Sequence, residues 1–83
     1  MKVLWFAWLR TRVGTATEEV ALPEGVDTVA KLLDWLATRS PGHAQALSQR
    51  AVVRVAVNQS YATADQPVHA GDEVAIFPPV TGG

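Results

Sequence analysis

The two stretches of this chain that constrain its fold most stand at opposite ends of it: VLWFAWL at residues 3–9 and EVAIF at residues 73–77. Read as strands, each is apolar on both faces. Val3, Trp5, Ala7 and Leu9 oppose Leu4, Phe6 and Trp8, while Val74 and Ile76 oppose Ala75 and Phe77. A strand apolar on two sides belongs inside a sheet, so the two are expected as central neighbours. A helix pattern lies between them in sequence, which makes a parallel pairing topologically reachable.

That helix pattern is Val29, Leu32, Leu33 and Leu36, an i, i+3, i+4, i+7 stripe. It predicts a helix from about Thr28 to Arg39, with Asp27 as the cap, Trp35 at the edge of the stripe and Ser40-Pro41-Gly42 as the stop. One further turn is expected over residues 43–49. Residues 16–22 alternate as a second strand, joined to the first as a hairpin through Gly14 and Thr15. Residues 52–57 form a third strand with Val53, Val55 and Val57 inward, followed by a short strand around Tyr61 and a tight turn at Ala70-Gly71-Asp72. The order strand, strand, helix, strand, short strand, strand is an α+β domain of β-grasp, ubiquitin-like type. It implies a mixed sheet of about four to five strands covered on one face by one main helix. On the uncovered face Phe6, Trp8 and Phe77 form a candidate docking patch.

Composition narrows the function. Eighty-three residues, 48% hydrophobic and 18% charged, make one small domain with no interdomain cleft. A net charge of −1 lacks the basic excess that a phosphate backbone requires, which argues against nucleic acid as a partner. There is no Cys, hence no disulfide and no thiolate, which fits a reducing compartment. The apolar run at 3–9 is far shorter than the ~20 residues of a membrane span, and Arg10 and Arg12 follow it in place of a signal-peptide cleavage site. A cytoplasmic protein with no membrane attachment is expected. His43 and His69 lack metal-ligand spacing and read as surface residues, so no metal site is expected; Arg50 and Arg54 read as solvated charges. Nothing resembles a nucleophile with its base.

After Phe77 the strand pattern stops. Pro78 and Pro79 lack the N–H that a ladder needs and hold the residues before them extended. The expected organisation is a β-grasp domain over residues 1–77 and an extended tail over 78–83, with a reach of at most roughly 20 Å. Gly82 and Gly83 carry no Cβ and can enter a passage too narrow for other residues. A terminal carboxylate there is ionised near neutral pH and can attack the α-phosphate of a nucleotide, and the acyl adenylate so formed accepts a sulfur or amine nucleophile. The chain has no glycine-rich phosphate loop, so catalysis of that step falls to a partner.

The whole ending, Gly71-Asp72-Glu73-Val74-Ala75-Ile76-Phe77-Pro78-Pro79-Val80-Thr81-Gly82-Gly83, resembles the C-terminal signature of the molybdopterin synthase small subunits, the sulfur carriers of molybdenum cofactor biosynthesis. Phe6-Ala7, the Ala7, Arg10, Gly14 spacing and Val57-Asn58-Gln59 extend the resemblance over essentially the whole chain. It implies that Gly83 is adenylated by an E1-like adenylyltransferase using ATP, and is converted to a thiocarboxylate with sulfur from a donor protein. It then delivers that sulfur to cyclic pyranopterin monophosphate in the large subunit, where two sulfurs make the dithiolene. Gly82 would give clearance, and Pro78, Pro79, Val80 and Thr81 would lie in the partner. The resemblance also places Arg10, Tyr61 and Phe77 at the large-subunit contact. It implies a heterotetrameric sulfurtransferase in which this chain is non-catalytic alone and binds no cofactor stably. Thr11 departs from the pattern, since family members often carry Glu after the arginine. Two other readings are a thiamine-pathway sulfur carrier, against which Pro78-Pro79-Val80 argues, and a ubiquitin-like modifier of protein lysines. A plain binding module would tolerate loss of Gly83.

Overall fold

The computed structural model describes residues 1–79. Its elements are β1 (Lys2–Trp5), α1 (Ala7–Val13), β2 (Thr17–Glu19), α2 (Val29–Leu36), α3 (Pro41–Ala46), a 3-10 turn (Arg50–Val52), β3 (Arg54–Val57), β4 (Ser60–Tyr61) and β5 (Glu73–Phe77). The five strands form one mixed sheet in the order β2-β1-β5-β3-β4. β1 and β5 are parallel neighbours, with Val3 opposite Val74 and Trp5 opposite Ile76, as the two end segments predict. β3 runs antiparallel to β5 on its other side, with Val55 opposite Ile76. β5 is therefore paired along both edges.

One sheet face carries the core. Val3, Trp5, Val55, Val57, Val74 and Ile76 point into it and meet the predicted stripe of α2, in which Val29, Leu32, Leu33 and Leu36 are all buried. Leu32, Leu36 and Ile76 are completely inaccessible. Truncating any of the three to Ala would cost about 2–5 kcal/mol. The helix begins one residue later than expected: Thr28, not Asp27, is its N-cap, with Oγ1 accepting from the Lys31 N–H at 3.3 Å. Asp27 instead pairs with the Lys31 ammonium at 3.1 Å across one turn.

The first strand is shorter than its apolar run suggests. It ends at Trp5; Phe6 is extended, Ala7 takes a left-handed conformation (φ 55°), and the chain then turns into α1. Leu9 is inward on either reading, because it lies an even number of residues from Trp5 and also at the buried position of the helix. Gly14 (φ 96°) closes α1 with its N–H on the Arg10 carbonyl at 2.8 Å, a left-handed cap rather than a hairpin turn. β1 and β2 still pair antiparallel, joined by this helix.

The Ser40-Pro41-Gly42 stop also starts something. Ser40 caps α3, its hydroxyl accepting the His43 N–H at 3.1 Å, and Pro41 takes the first turn. The helix layer thus holds α2 as its longest member plus the shorter α1 and α3. At Gly42 the backbones of α1 and α3 nearly touch, and a Cβ there would overlap the Arg12 carbonyl oxygen.

His43 corrects the surface reading. It is 7% exposed, with Nε2 2.8 Å from Glu18 Oε2 and Nδ1 2.7 Å from Ser40 Oγ. His69 is exposed as expected. Arg50 is exposed and paired with Asp34 at 2.9 Å.

Candidate functional site: the root of the C-terminal tail

Strand alternation sets the site. With Ile76 turned into the core, Phe77 faces the opposite, helix-free side, where β3 presents Arg54 directly across from it. Tyr61 stands opposite Ala56 on β4, on the same side, and is 81% exposed. The Tyr61 and Phe77 rings lie 5.9 Å apart at 49°, within the range of a favourable aromatic pair. Phe6 follows β1, its N–H on the Ile76 carbonyl at 3.1 Å and its ring 46% exposed, whereas Trp8, expected on this face, is carried away on α1 because the strand ends at Trp5.

The ladder ends at this point. Phe77 is the last residue of β5, and Pro78 and Pro79 follow half-buried, with no N–H to offer. An open recess of about 510 Å³ lies beside them, lined by Arg54, Tyr61, Ala62, Phe77 and Pro79 with Val53 and Val55. Arg54 is held in place by its own backbone: Nη1 donates to the carbonyls of Ala51 at 3.0 Å and Val53 at 3.3 Å. The exposed guanidinium retains donors for an incoming carboxylate or carbonyl. Aromatic faces with an adjacent Arg are the composition of a binding hot spot.

Of the residues singled out from the sequence, the structure gathers Phe77, Tyr61 and Pro79 around one recess, with Pro78 between two of them in sequence. Arg10 stands apart on α1, exposed and not among the recess-lining residues. Val80, Thr81, Gly82 and Gly83 lie outside the described residues. Arg54 is the residue that sequence reasoning passed over. Its position between the inward Val53 and Val55 puts it outward, and antiparallel pairing of β3 with β5 would have placed it opposite Phe77.

The far end of β5 is tied down as well. Asn58, in the β3–β4 turn at φ 50°, donates from Nδ2 to Asp72 at 3.0 Å and accepts the Glu73 N–H at 3.0 Å. Asp72 also accepts the His69 N–H at 2.7 Å. The Asn58 amide first, then the His69 N–H, hold the Asp72 carboxyl below its ordinary pKa. Among the described residues no three His, Cys, Asp or Glu side chains cluster as metal ligands, and no helix is long and apolar enough to cross a membrane.

A parallel pair of end strands at the centre of a five-stranded mixed sheet, helices on one face and a strand leading straight to the C-terminal segment define a ubiquitin-like β-grasp protein. The chain belongs to the ThiS family, whose model matches residues 3–83. It is 46% identical over 83 residues to the molybdopterin synthase sulfur carrier subunit of Escherichia coli (strain K12), covering 100% of this chain and 99% of that one. The human protein of the same name is 33% identical over 86 residues, covering 100% of this chain and 93% of that one. Among solved structures, SAMP1 from Haloferax volcanii superposes with a TM-score of 0.75 at 34% identity, covering 100% of this chain and 98% of that one. The family and the fold expected from the sequence are both borne out.

Proposed function

We propose that this chain is the sulfur-carrying subunit of a molybdopterin synthase, and that Gly83 is the residue that carries the sulfur. An E1-like partner would activate it: a carboxylate oxygen of Gly83 attacks the α-phosphorus of ATP and pyrophosphate leaves. The terminal sulfur of a donor protein's persulfide then displaces AMP, a second thiol cleaves the acyl disulfide so formed, and Gly83 is left as a thiocarboxylate while that thiol and the donor cysteine leave as a disulfide. The loaded tail enters the large subunit and gives its sulfur to cyclic pyranopterin monophosphate. This chain supplies presentation; ATP handling and pterin chemistry belong to its partners, and a cytoplasmic location is part of the same reading.

The observation that carries this reading is the junction at Phe77, where the central strand gives way to Pro78-Pro79 beside an aromatic recess with an Arg at its wall. The 46% identity to the Escherichia coli subunit supports it. Residues 78–83 act as the inserted segment, with Phe77, Tyr61 and Arg10 as partner contacts and Arg54 added to them from the geometry. Reconstitution tests the whole: protein loaded by its activating enzyme, mixed with the large subunit, converts the cyclic precursor to molybdopterin, and a Gly83 deletion yields none. Equal conversion by the deletion variant would refute the proposal.

A second reading has support of its own. The chain is 32% identical to H. volcanii small archaeal modifier protein 1, with a TM-score of 0.75. Attack by a lysine amine on the same acyl adenylate gives an isopeptide bond in place of a thiocarboxylate. Mass spectrometry of protein from its native cell separates the two, since one oxygen replaced by sulfur marks the carrier and adducts on other proteins mark the modifier.

A further inference from the structure

On the helix side of the molecule, α1 and α3 enclose a second open recess of about 290 Å³, lined by Trp8, Arg12, Gln45, Ala46, Ser48 and Gln49. It shares no residue with the recess at the tail root. We propose that it is a docking site for an acidic peptide segment of a partner protein, used independently of the tail.

The recess is preformed. Leu9 and Ala46, on the inner sides of the two helices, are 0% and 1% exposed, and the close approach at Gly42 leaves the helices no room to slide together. Trp8 and Arg12 are four residues apart on α1 and so stand side by side, the indole 40% exposed. A large exposed indole next to a guanidinium is a pairing found in protein interfaces more than on inert surface.

Charge selects the occupant. All eight acidic residues of the chain lie outside residues 7–13 and 41–49, the two segments that line this recess, and Glu18, which reaches α3, is turned inward onto His43. Arg10 and Arg12 have no ion-pair partner among the described residues, whereas Arg50 is matched by Asp34. A chain of net charge −1 therefore presents a local cationic patch here. Arg12 can take a carboxylate in two-pronged fashion, Trp8 can cover the aliphatic stem of a Glu or Leu, and the Gln45 and Gln49 amides can bond peptide groups. A nucleic acid would need a row of cations to follow its phosphates, and this face does not provide one.

The test uses the full chain, 15N-labelled, titrated with an acetylated and amidated Glu-Glu-Leu-Glu-Glu peptide while its amide and indole resonances are followed. A saturable shift centred on the Trp8 indole and the Gln45 and Gln49 side-chain amides is expected. Arg12→Glu and Trp8→Ala should each weaken binding about tenfold. Arg10→Glu makes the same charge change outside the recess and should weaken it less. The Trp5 indole resonance, hydrogen-bonded to Glu18, reports that each variant is folded. The proposal is overturned if no saturable shift occurs at Trp8, if Arg10→Glu and Arg12→Glu act equally, or if a thymidine oligonucleotide of the same charge binds as well.

Discussion

One carboxylate oxygen of Glu18 joins the sheet to the helix layer: Oε2 stands 2.8 Å from His43 Nε2 while receiving the Trp5 indole N–H at 2.6 Å. The other oxygen faces Arg39 Nε at 3.7 Å, and the His43 and Trp5 rings meet edge to face at 5.5 Å. Glu18 comes from β2, Trp5 from β1, and His43 from α3, so this polar cluster fixes three elements around one point.

Replacing Glu18 should therefore cost more than removing a surface charge. Glu18→Ala leaves the Trp5 N–H and an imidazole nitrogen of His43 without partners in a nearly closed site, for an expected loss of about 1–3 kcal/mol. For a domain of this size that is a fall in Tm of about 4–8 °C per kcal/mol. Urea or thermal melts of Glu18→Ala, His43→Ala and the double variant check it. Coupling of less than about 0.5 kcal/mol in that cycle would mean that the two residues act independently.

Gly42→Ala tests the contact between α1 and α3. The added methyl group meets the Arg12 carbonyl oxygen, which is backbone and cannot swing away, so the helices must separate. A loss of about 1–3 kcal/mol is expected, as for other overpacked sites. A variant as stable as the parent would show that the two helices can part freely.

Asp72 gives the fold a pH dependence of definite sign. Its carboxyl is held below the ordinary value of 3.8 by the Asn58 amide and then by the His69 N–H, so the folded state favours the ionised form. That stabilisation is fully present above the unfolded pKa and fades as pH falls from there through the lowered folded value. Urea midpoints measured down the acid limb should fall less steeply for Asp72→Asn, and Asn58→Ala should reproduce part of the change. Parallel acid limbs for the parent and Asp72→Asn would contradict the assignment.

At the tail root, Phe77→Ala and Arg54→Ala should act on association with the large subunit. Phe77 is half-buried against Tyr61, and Arg54 is exposed, so neither change opens the core. Each is expected to weaken binding about tenfold or more while Arg54→Ala leaves Tm nearly unchanged. Calorimetric titration of the large subunit measures this; an unchanged Kd for both would remove the recess from the interface.

Sequence patterning went far where burial is local and periodic. The α2 stripe and the inward Val53, Val55 and Val57 follow from apolar spacing alone, and the central placing of β1 beside β5 from that spacing together with the helix between them in sequence. It overran at α1 because Leu9 satisfies the strand period and the helix period together, and the left-handed Ala7 that separates the two elements carries no sequence mark. It missed buried His43 because the partner that permits burial, Glu18, is 25 residues away and becomes adjacent only after folding. Phe77 and Tyr61 were legible as candidates, but Arg54 needed the β3–β5 register to be placed beside them.

Because β5 is hydrogen-bonded along both edges, a pull at Pro78 directed along the strand meets β1 and β3 in shear, with many bonds resisting at once. Peeling an edge strand would break them one after another. A partner that draws on the residues after Phe77 therefore takes hold of an interior strand, anchored on both sides, and not of a sheet edge that could be stripped away.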